Sequence, residues 1–401
     1  MEGFFTKKET ESISRPDGKV YSCTICGLFK DCIHPKMEPF GNFKKRILNI
    51  GEAPGEVEDQ RGRQWQGRTG RLLQNTYKHL GIDLFDDCLN INAVNCRPPN
   101  NSSPDSFQIG CCRKRILNTI EQYKPKLIML FGNAAVSSVI GHRWRKELGG
   151  IMKWRGWTIP DQDFKAWICP TFHPSYVERT NAQEVDVIWE NDIKQAFELL
   201  DVQFPVHKDP DIEIIDDLKV LNDIKDTTIA FDYETTGRKP HATGHRIVCA
   251  SVADTINHCY AFLIPNTKEG RQPFIDLLKR KSVGKVAHSM KFEEAWSIVR
   301  LKTSVTPWEL DTMIMAHILD NRPGVTSLKF QVYVNFGIVD YASDIAPYLQ
   351  ATENNNGNAI NKIFDLLKRH DGKNKLLKYC AYDAIYGLRL AKHQLELLLP
   401  F

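Results

Sequence analysis

Along the first half of the chain, short apolar runs rich in β-branched residues alternate with stretches whose apolar positions recur every three to four residues. The pattern predicts strands at 46–50, 89–94 and 127–131, and helices over 69–80 and near 112–123. Such alternation is the rhythm of an α/β domain built on a largely parallel sheet. Pro98 and Pro99, followed by Asn-Asn-Ser-Ser-Pro, interrupt it with an extended loop. After a further helix expected over 187–200, the stretch Phe204-Pro205-Val206-His207-Lys208-Asp209-Pro210 has the prolines and mixed charge of a linker. The expected organisation is therefore a domain over 1–203, a linker over 204–210 and a second domain over 211–401. The second begins with an Asp/Leu-rich segment read as a helix, then apolar β-runs at 228–232 and 246–253, and is again α/β. A polar insertion, Asn354 to Asn358, reads as a loop, and no internal repeat is evident.

Composition changes this picture little. A length of 401 residues fits two or three domains, at about 100–200 residues each. Hydrophobic content of 42% and charged content of 25% suffice for separate cores. A net charge of +4 is too mild for an overall field to capture nucleic acid, so any such affinity must come from local basic patches. No apolar run is long enough to span a bilayer, and the first residues lack the apolar stretch of a signal peptide. The expectation is a cytoplasmic protein without a membrane partner. In that compartment, eleven cysteines point to metal ligation and buried thiols more than to disulfides.

Chemistry enters with spacing. Cys23-Thr24-Ile25-Cys26 sets two thiols on one centre, and Cys96 and Cys112 can complete a four-sulfur site. Spacing alone leaves zinc and an iron–sulfur cluster open, as well as zinc on the first pair with the others as core thiols. Gly51-Glu52-Ala53-Pro54-Gly55 directly follows a predicted strand, and further on come Gly67-Arg68-Thr69-Gly70-Arg71, Asn92-Ala93-Val94-Asn95-Cys96-Arg97-Pro98-Pro99 and His173-Pro174-Ser175-Tyr176. In this order the motifs resemble the family 4 uracil-DNA glycosylases over roughly residues 20 to 200. The resemblance implies a glycosylase-like α/β sandwich with a 4Fe-4S cluster on Cys23, Cys26, Cys96 and Cys112, zinc being the alternative.

Breaking an N-glycosidic bond builds positive charge on the sugar and negative charge on the departing base, so acid groups and hydrogen-bond donors must flank it. Glu52 and His173 suit those two roles, and Asn92 suits reading the polar edge of a flipped base. Trp65 stands where the family has a base-stacking phenylalanine, and Asn95 stands where it commonly has a lysine that contacts phosphate. Arg61, Arg63, Arg68 and Arg71 cluster around Trp65 as a DNA-backbone surface requires, although a solvated arginine face has the same composition.

In the second half, Asp232 and Glu234 are two apart on a predicted strand and so present carboxylates to one face. Paired carboxylates suit magnesium or manganese, and phosphodiester hydrolysis uses two such ions. His288-Ser289-Met290-Lys291-Phe292-Glu293 and Tyr379-Cys380-Ala381-Tyr382-Asp383 supply further groups, with Tyr379 one helical turn before Asp383. Together the three motifs resemble those of DEDDy-type 3′–5′ exonucleases, especially the proofreading domain of family A DNA polymerases. The resemblance implies a ribonuclease H-like fold in which Asp232, Glu234, Glu293 and Asp383 bind two Mg2+ or Mn2+ ions and Tyr379 orients the attacking water. Glu293 replaces the usual aspartate and Ser289 a frequent asparagine. Asp311 is read as support for the site, and His241 and His245 as residues of a solvated loop.

The combination is similar to the N-terminal portion of certain bacteriophage family A polymerases. It implies a DNA-directed enzyme acting on single strands, 3′ ends or uracil-containing DNA, located in the host cytoplasm if the protein is viral. A polymerase is expected in trans or in a further C-terminal part. A DNA-binding accessory subunit with an inactive glycosylase-like domain is the rival reading.

Overall fold

Ile47–Gly51 (β1), Cys88–Asn92 (β2) and Leu127–Phe131 (β3) are buried at every position. Strands covered on both faces are mostly apolar, and the buried Asn49 and Asn90 of β1 and β2 are tolerated because Asn49 donates to Asn90 Oδ1 at 3.0 Å. Ile159–Asp161 (β4) and Ala166–Thr171 (β5) complete the sheet, in the order β2-β1-β3-β5-β4. All neighbours are parallel except β4 and β5. The helix Arg68–His79 buries Leu73 and Tyr77, and the helix Gln183–Glu198 buries Trp189, Ile193 and Ala196, in one core with Ile47, Leu127, Met129 and Phe131. The helix Ser106–Tyr123 starts on a reciprocal capping box between Asp105 and Gln108.

This computed structural model describes residues 20–144, 146–225, 227–339, 341–350 and 358–398. The chain divides into two compact units between Val206 and His207, and Tyr333–Asp340 belongs with the first. The start of the chain and most of the Asn354 to Asn358 insertion lie outside the described residues. Among the described residues no helix is long and apolar enough to cross a membrane.

The second unit holds Asp211–Ile214 (β6), Thr228–Thr235 (β7), Ile247–Thr255 (β8), His258–Leu263 (β9), Gly284–Ala287 (β10) and Trp308–Asp311 (β11). Their order is β11-β10-β7-β8-β9-β6, with β8 antiparallel to β7 and β9. Leaving aside the added strand β6, this is the ribonuclease H-like arrangement, and with the first sheet it makes two α/β domains. Side chains on β7 alternate between two cores: Ile229, Phe231 and Tyr233 pack with Phe274, Leu277 and Trp296, whereas Ala230 faces Leu377, Ala381 and Ala384 of the helix Gly372–Leu398.

The Asp/Leu-rich opening of this unit differs from expectation. Asp211–Ile214 alternates exposed and half-buried positions with period two and pairs in parallel with β9, and only a short 3-10 turn, Leu218–Asp223, follows. Asp217 caps that turn by accepting from the Lys219 N–H at 3.0 Å, which favours a turn over a longer helix.

Candidate active sites

Four strand ends build the first pocket. Glu52 follows β1, Asn92 ends β2, Gly132 follows β3 and His173 comes two residues after β5, all at the carboxyl edge of the parallel sheet. Ligand crevices form there because neighbouring connections leave in opposite directions on either side of a central strand. The cleft has a volume of about 640 Å³, and Glu52, Trp65, Asn92 and His173 all line it. Gly51 pairs with Asn92 in the sheet; a Cβ on it would lie 2.4 Å from Asn92 Oδ1 and 2.9 Å from the Trp65 ring, so only glycine allows this approach.

His173 caps the helix Pro174–Thr180 through its ring: Nδ1 accepts from the Ser175 N–H at 3.2 Å and lies 2.7 Å from Ser175 Oγ. A backbone N–H only donates, so Nδ1 is an acceptor and the proton of the neutral ring sits on Nε2. Burial, with a smaller push from Arg179, lowers the ring pKa to about 4. Trp65 is 6% exposed, with φ +59°, and its ring lies 5.7 Å from both His173 and Phe131. It is a wall of the pocket held in the core. Asn95 is buried as well, and its Oδ1 accepts from the Asn92 N–H at 3.3 Å, so this position braces Asn92 from within. Arg61, Arg63, Arg68 and Arg71 are exposed; Arg63 lies over Phe40 at 4.7 Å and Arg68 pairs with Glu178.

Cys23, Cys96 and Cys112 line a separate cavity of about 820 Å³, and Cys26 lies near enough to Cys112 to bear on its charge. Burial raises the thiols of Cys96 to about 11 and Cys112 to about 12, so both need a cation to become thiolates. Four sulfurs on one zinc, at about 2.3 Å each, would stand roughly 3.8 Å apart. Among the described residues no three cysteine sulfurs lie within 4.8 Å of one another. Cys32 and Cys111 border the same region, beside Cys96 and Cys26 respectively.

In the second unit, one carboxylate oxygen each from Asp232, Glu234 and Asp383 lies within 4.8 Å of the others. The helix Gly372–Leu398 is fastened over β8 by Ser251 Oγ, which donates to the Cys380 carbonyl at 2.7 Å, and over β7 by Cys380 Sγ, which lies 3.7 Å from Asp232 Oδ2. That brings Tyr379 and Asp383 to the carboxylates on the strand. Glu293 is buried with its Oε2 lacking a hydrogen-bond partner among the described residues. It stands outside the trio, but the charges of Asp232 and Asp383 reach it. Burial first, and mutual repulsion second, raise the carboxyl pKa values of Asp232, Glu234 and Glu293 well above the usual range. Hard oxygen donors crowded in this way, one of them orphaned, fit Mg2+ or Mn2+. Burial and the same carboxylates also hold the Tyr379 phenol protonated.

Both oxygens of Asp311 are taken by backbone donors. Oδ1 accepts from Ser289 N at 3.0 Å and Met313 N at 2.9 Å, and Oδ2 accepts from Met290 N at 2.9 Å. Asp311 thus ties the start of the helix Thr312–Leu319 to the start of Met290–Trp296, which carries Glu293. Ser289 has φ +81°, a left-handed conformation that asparagine tolerates better than serine. His245 is buried, unlike exposed His241, and its ring packs where Gly237 leaves room and bonds the Asn358 carbonyl at 3.0 Å.

Residues 38–193 match the uracil DNA glycosylase superfamily. A type-4 uracil-DNA glycosylase of Thermotoga maritima is 35% identical over 178 residues, covering 44% of this chain and 89% of the relative. The first unit belongs to the type-4 uracil-DNA glycosylase family. A DNA polymerase of Bacillus phage SP01 is 23% identical over 330 residues, which is 72% of this chain but only 34% of that protein. Escherichia coli RNase D overlaps 47% of this chain and 45% of its own at 16% identity and a TM-score of 0.34, a likeness that carries no argument.

In the glycosylase unit, motif spacing had singled out neither Asn95 as a brace nor Arg179 beside His173. In the second unit it missed Lys329 and Tyr341, both of which contact Asp383. A lone lysine in an apolar stretch carries no local signal, and only the fold brings it to the helix that carries Asp383.

Proposed function

We propose that the chain is a DNA-processing enzyme with two activities, uracil excision in the glycosylase unit and 3′–5′ exonucleolytic hydrolysis in the second. The observation that carries the exonuclease reading is the approach of Asp232, Glu234 and Asp383, from opposite ends of the unit's sequence, to within 4.8 Å. Family membership supports the glycosylase reading.

In the pocket, the Nε2–H of neutral His173 donates to the base as negative charge develops, Asn92 reads its polar edge, and Trp65 provides the aromatic wall. Glu52 stabilises the positive charge on the sugar or orders the attacking water. Arg61, Arg63, Arg68 and Arg71 hold phosphates. Cys23, Cys26, Cys96 and Cys112 would hold a 4Fe-4S cluster in a structural role.

In the second unit, Asp232, Glu234, Glu293 and Asp383 would hold two Mg2+ or Mn2+ ions. When bound, such ions supply an activated water and stabilise the leaving oxygen. Tyr379, held protonated, donates a hydrogen bond that orients the attacking water. Substrates are single-stranded or 3′-ended DNA. The match to a phage polymerase supports a proofreading setting, with a polymerase in trans or in the same longer chain.

A labelled single strand with one uracil tests both activities. Alkali-labile cleavage at the uracil is expected with or without magnesium, and shortening from the 3′ end only with it. Glu52→Gln should lower uracil release about 100-fold or more and leave the shortening intact. Shortening in EDTA would overturn the metal assignment, and unchanged uracil release in Glu52→Gln would overturn the excision site. If no abasic site forms at all, the excision reading falls and the unit binds DNA without cutting.

A further inference from the structure

The acidic centre of the second unit includes a cation of its own. Lys329, near the start of the helix Leu328–Phe336, ion-pairs with Asp383 Oδ1; the two side chains are 14% and 11% exposed. Tyr341 OH donates to the same oxygen at 2.7 Å. The Lys329 ammonium also lies 4.0 Å from the centre of the Tyr341 ring and 4.4 Å from that of Tyr379. It is enclosed by one carboxylate and two aromatic faces, each of which attracts it. Immobilising and desolvating a lysine is costly unless the surroundings compensate for both. Here they do, because the crowded carboxylates of Asp232, Glu234 and Asp383 repel one another and the ammonium offsets part of that repulsion.

The same geometry sets up a competition. Asp383 offers two oxygens; Lys329 and Tyr341 engage Oδ1, and a divalent ion would draw on the same carboxylate. A single positive charge beside a double one is repulsive at such distances, even when partly screened. We propose that Lys329 is the built-in counter-ion of this centre: it fixes Asp383 and the Tyr379 ring when no divalent ion is bound, and it weakens divalent-ion binding through charge repulsion. The inference rests on the exonuclease reading and assigns Lys329 a positioning role without contact to the reacting atoms.

The test compares full-length wild type, Lys329→Met and Tyr341→Phe. Mn2+ binding is measured by electron paramagnetic resonance at fixed pH and salt, thermal unfolding in EDTA, and hydrolysis at saturating Mn2+. Lys329→Met should bind Mn2+ roughly tenfold more tightly, unfold several degrees lower in EDTA, and turn over about tenfold more slowly because Asp383 and Tyr379 lose an anchor. Tyr341→Phe removes a hydrogen bond but no charge, so its Mn2+ affinity should stay within about twofold of wild type. Equal or weaker Mn2+ binding by Lys329→Met would overturn the proposal, and Lys329→Gln provides the same charge removal should the methionine variant fail to fold. If wild type binds no Mn2+, the exonuclease reading falls too; if it binds and the Lys329 variants bind no tighter, only the role of Lys329 is lost.

Discussion

His173 carries, on the proposed excision reading, the hydrogen bond to the departing base. Its Nδ1 is committed to the Ser175 N–H, which leaves Nε2–H as the donor, and burial keeps the ring neutral down to about pH 4. In the unfolded chain a histidine takes up its proton near pH 6.5. Between these values the unfolded state binds more protons than the folded one, so the buried ring costs stability as the pH falls from 6.5 toward 4. His207 and His288 are also lowered to about 4 by burial and act in the same direction. Uracil release should therefore show no histidine ionisation near pH 6.5, and a pH profile of kcat with an inflection there would place the ring in solvent. In urea titrations at pH 5 and 7.5, His173→Gln should lose less stability on acidification than wild type.

Among the elements, the junction of β11 with two helices is the one on which the second centre depends. Asp311 satisfies amides at the starts of Met290–Trp296 and Thr312–Leu319, donors that no residue within either helix can reach. Asp311→Ala should cost about 2–3 kcal/mol in chemical denaturation, more than an ordinary single cap because two helix starts lose their acceptor. Exonuclease turnover should fall as well, since Glu293 sits in the first turns of the released helix. Asp311→Asn, which keeps one acceptor oxygen, should cost less than the alanine variant. A stability loss under about 0.5 kcal/mol in the alanine variant would show that the caps are replaceable by solvent.

For the whole molecule, the two proposed activities lie in different compact units and should therefore fail separately. The cysteine cavity belongs to the glycosylase unit, where the proposed metal group would contribute directly to folding free energy when bound. Cys112→Ser should reduce iron and acid-labile sulfide in anaerobically purified protein and lower the unfolding temperature of that unit by roughly 10 °C, on the order of 3 kcal/mol. Magnesium-dependent 3′ shortening should persist. Full iron content in this variant would move the fourth ligand to another cysteine, with Cys111 the nearest in sequence.

Much of this protein is legible in the order of its residues. Mainly apolar runs mark β1 and β3 because strands buried on both faces tolerate few polar residues, and the Asp232–Glu234 spacing marks a strand face because side chains alternate with period two. The motifs of both sites were visible for the same reason: each is short and local. Tertiary structure alone decided that Asp311 is consumed by backbone amides, that Asn95 braces Asn92, that Trp65 is a core wall, and that Lys329 stands on Asp383. Those outcomes depend on what another segment brings within hydrogen-bonding reach, and no window along the chain contains both partners.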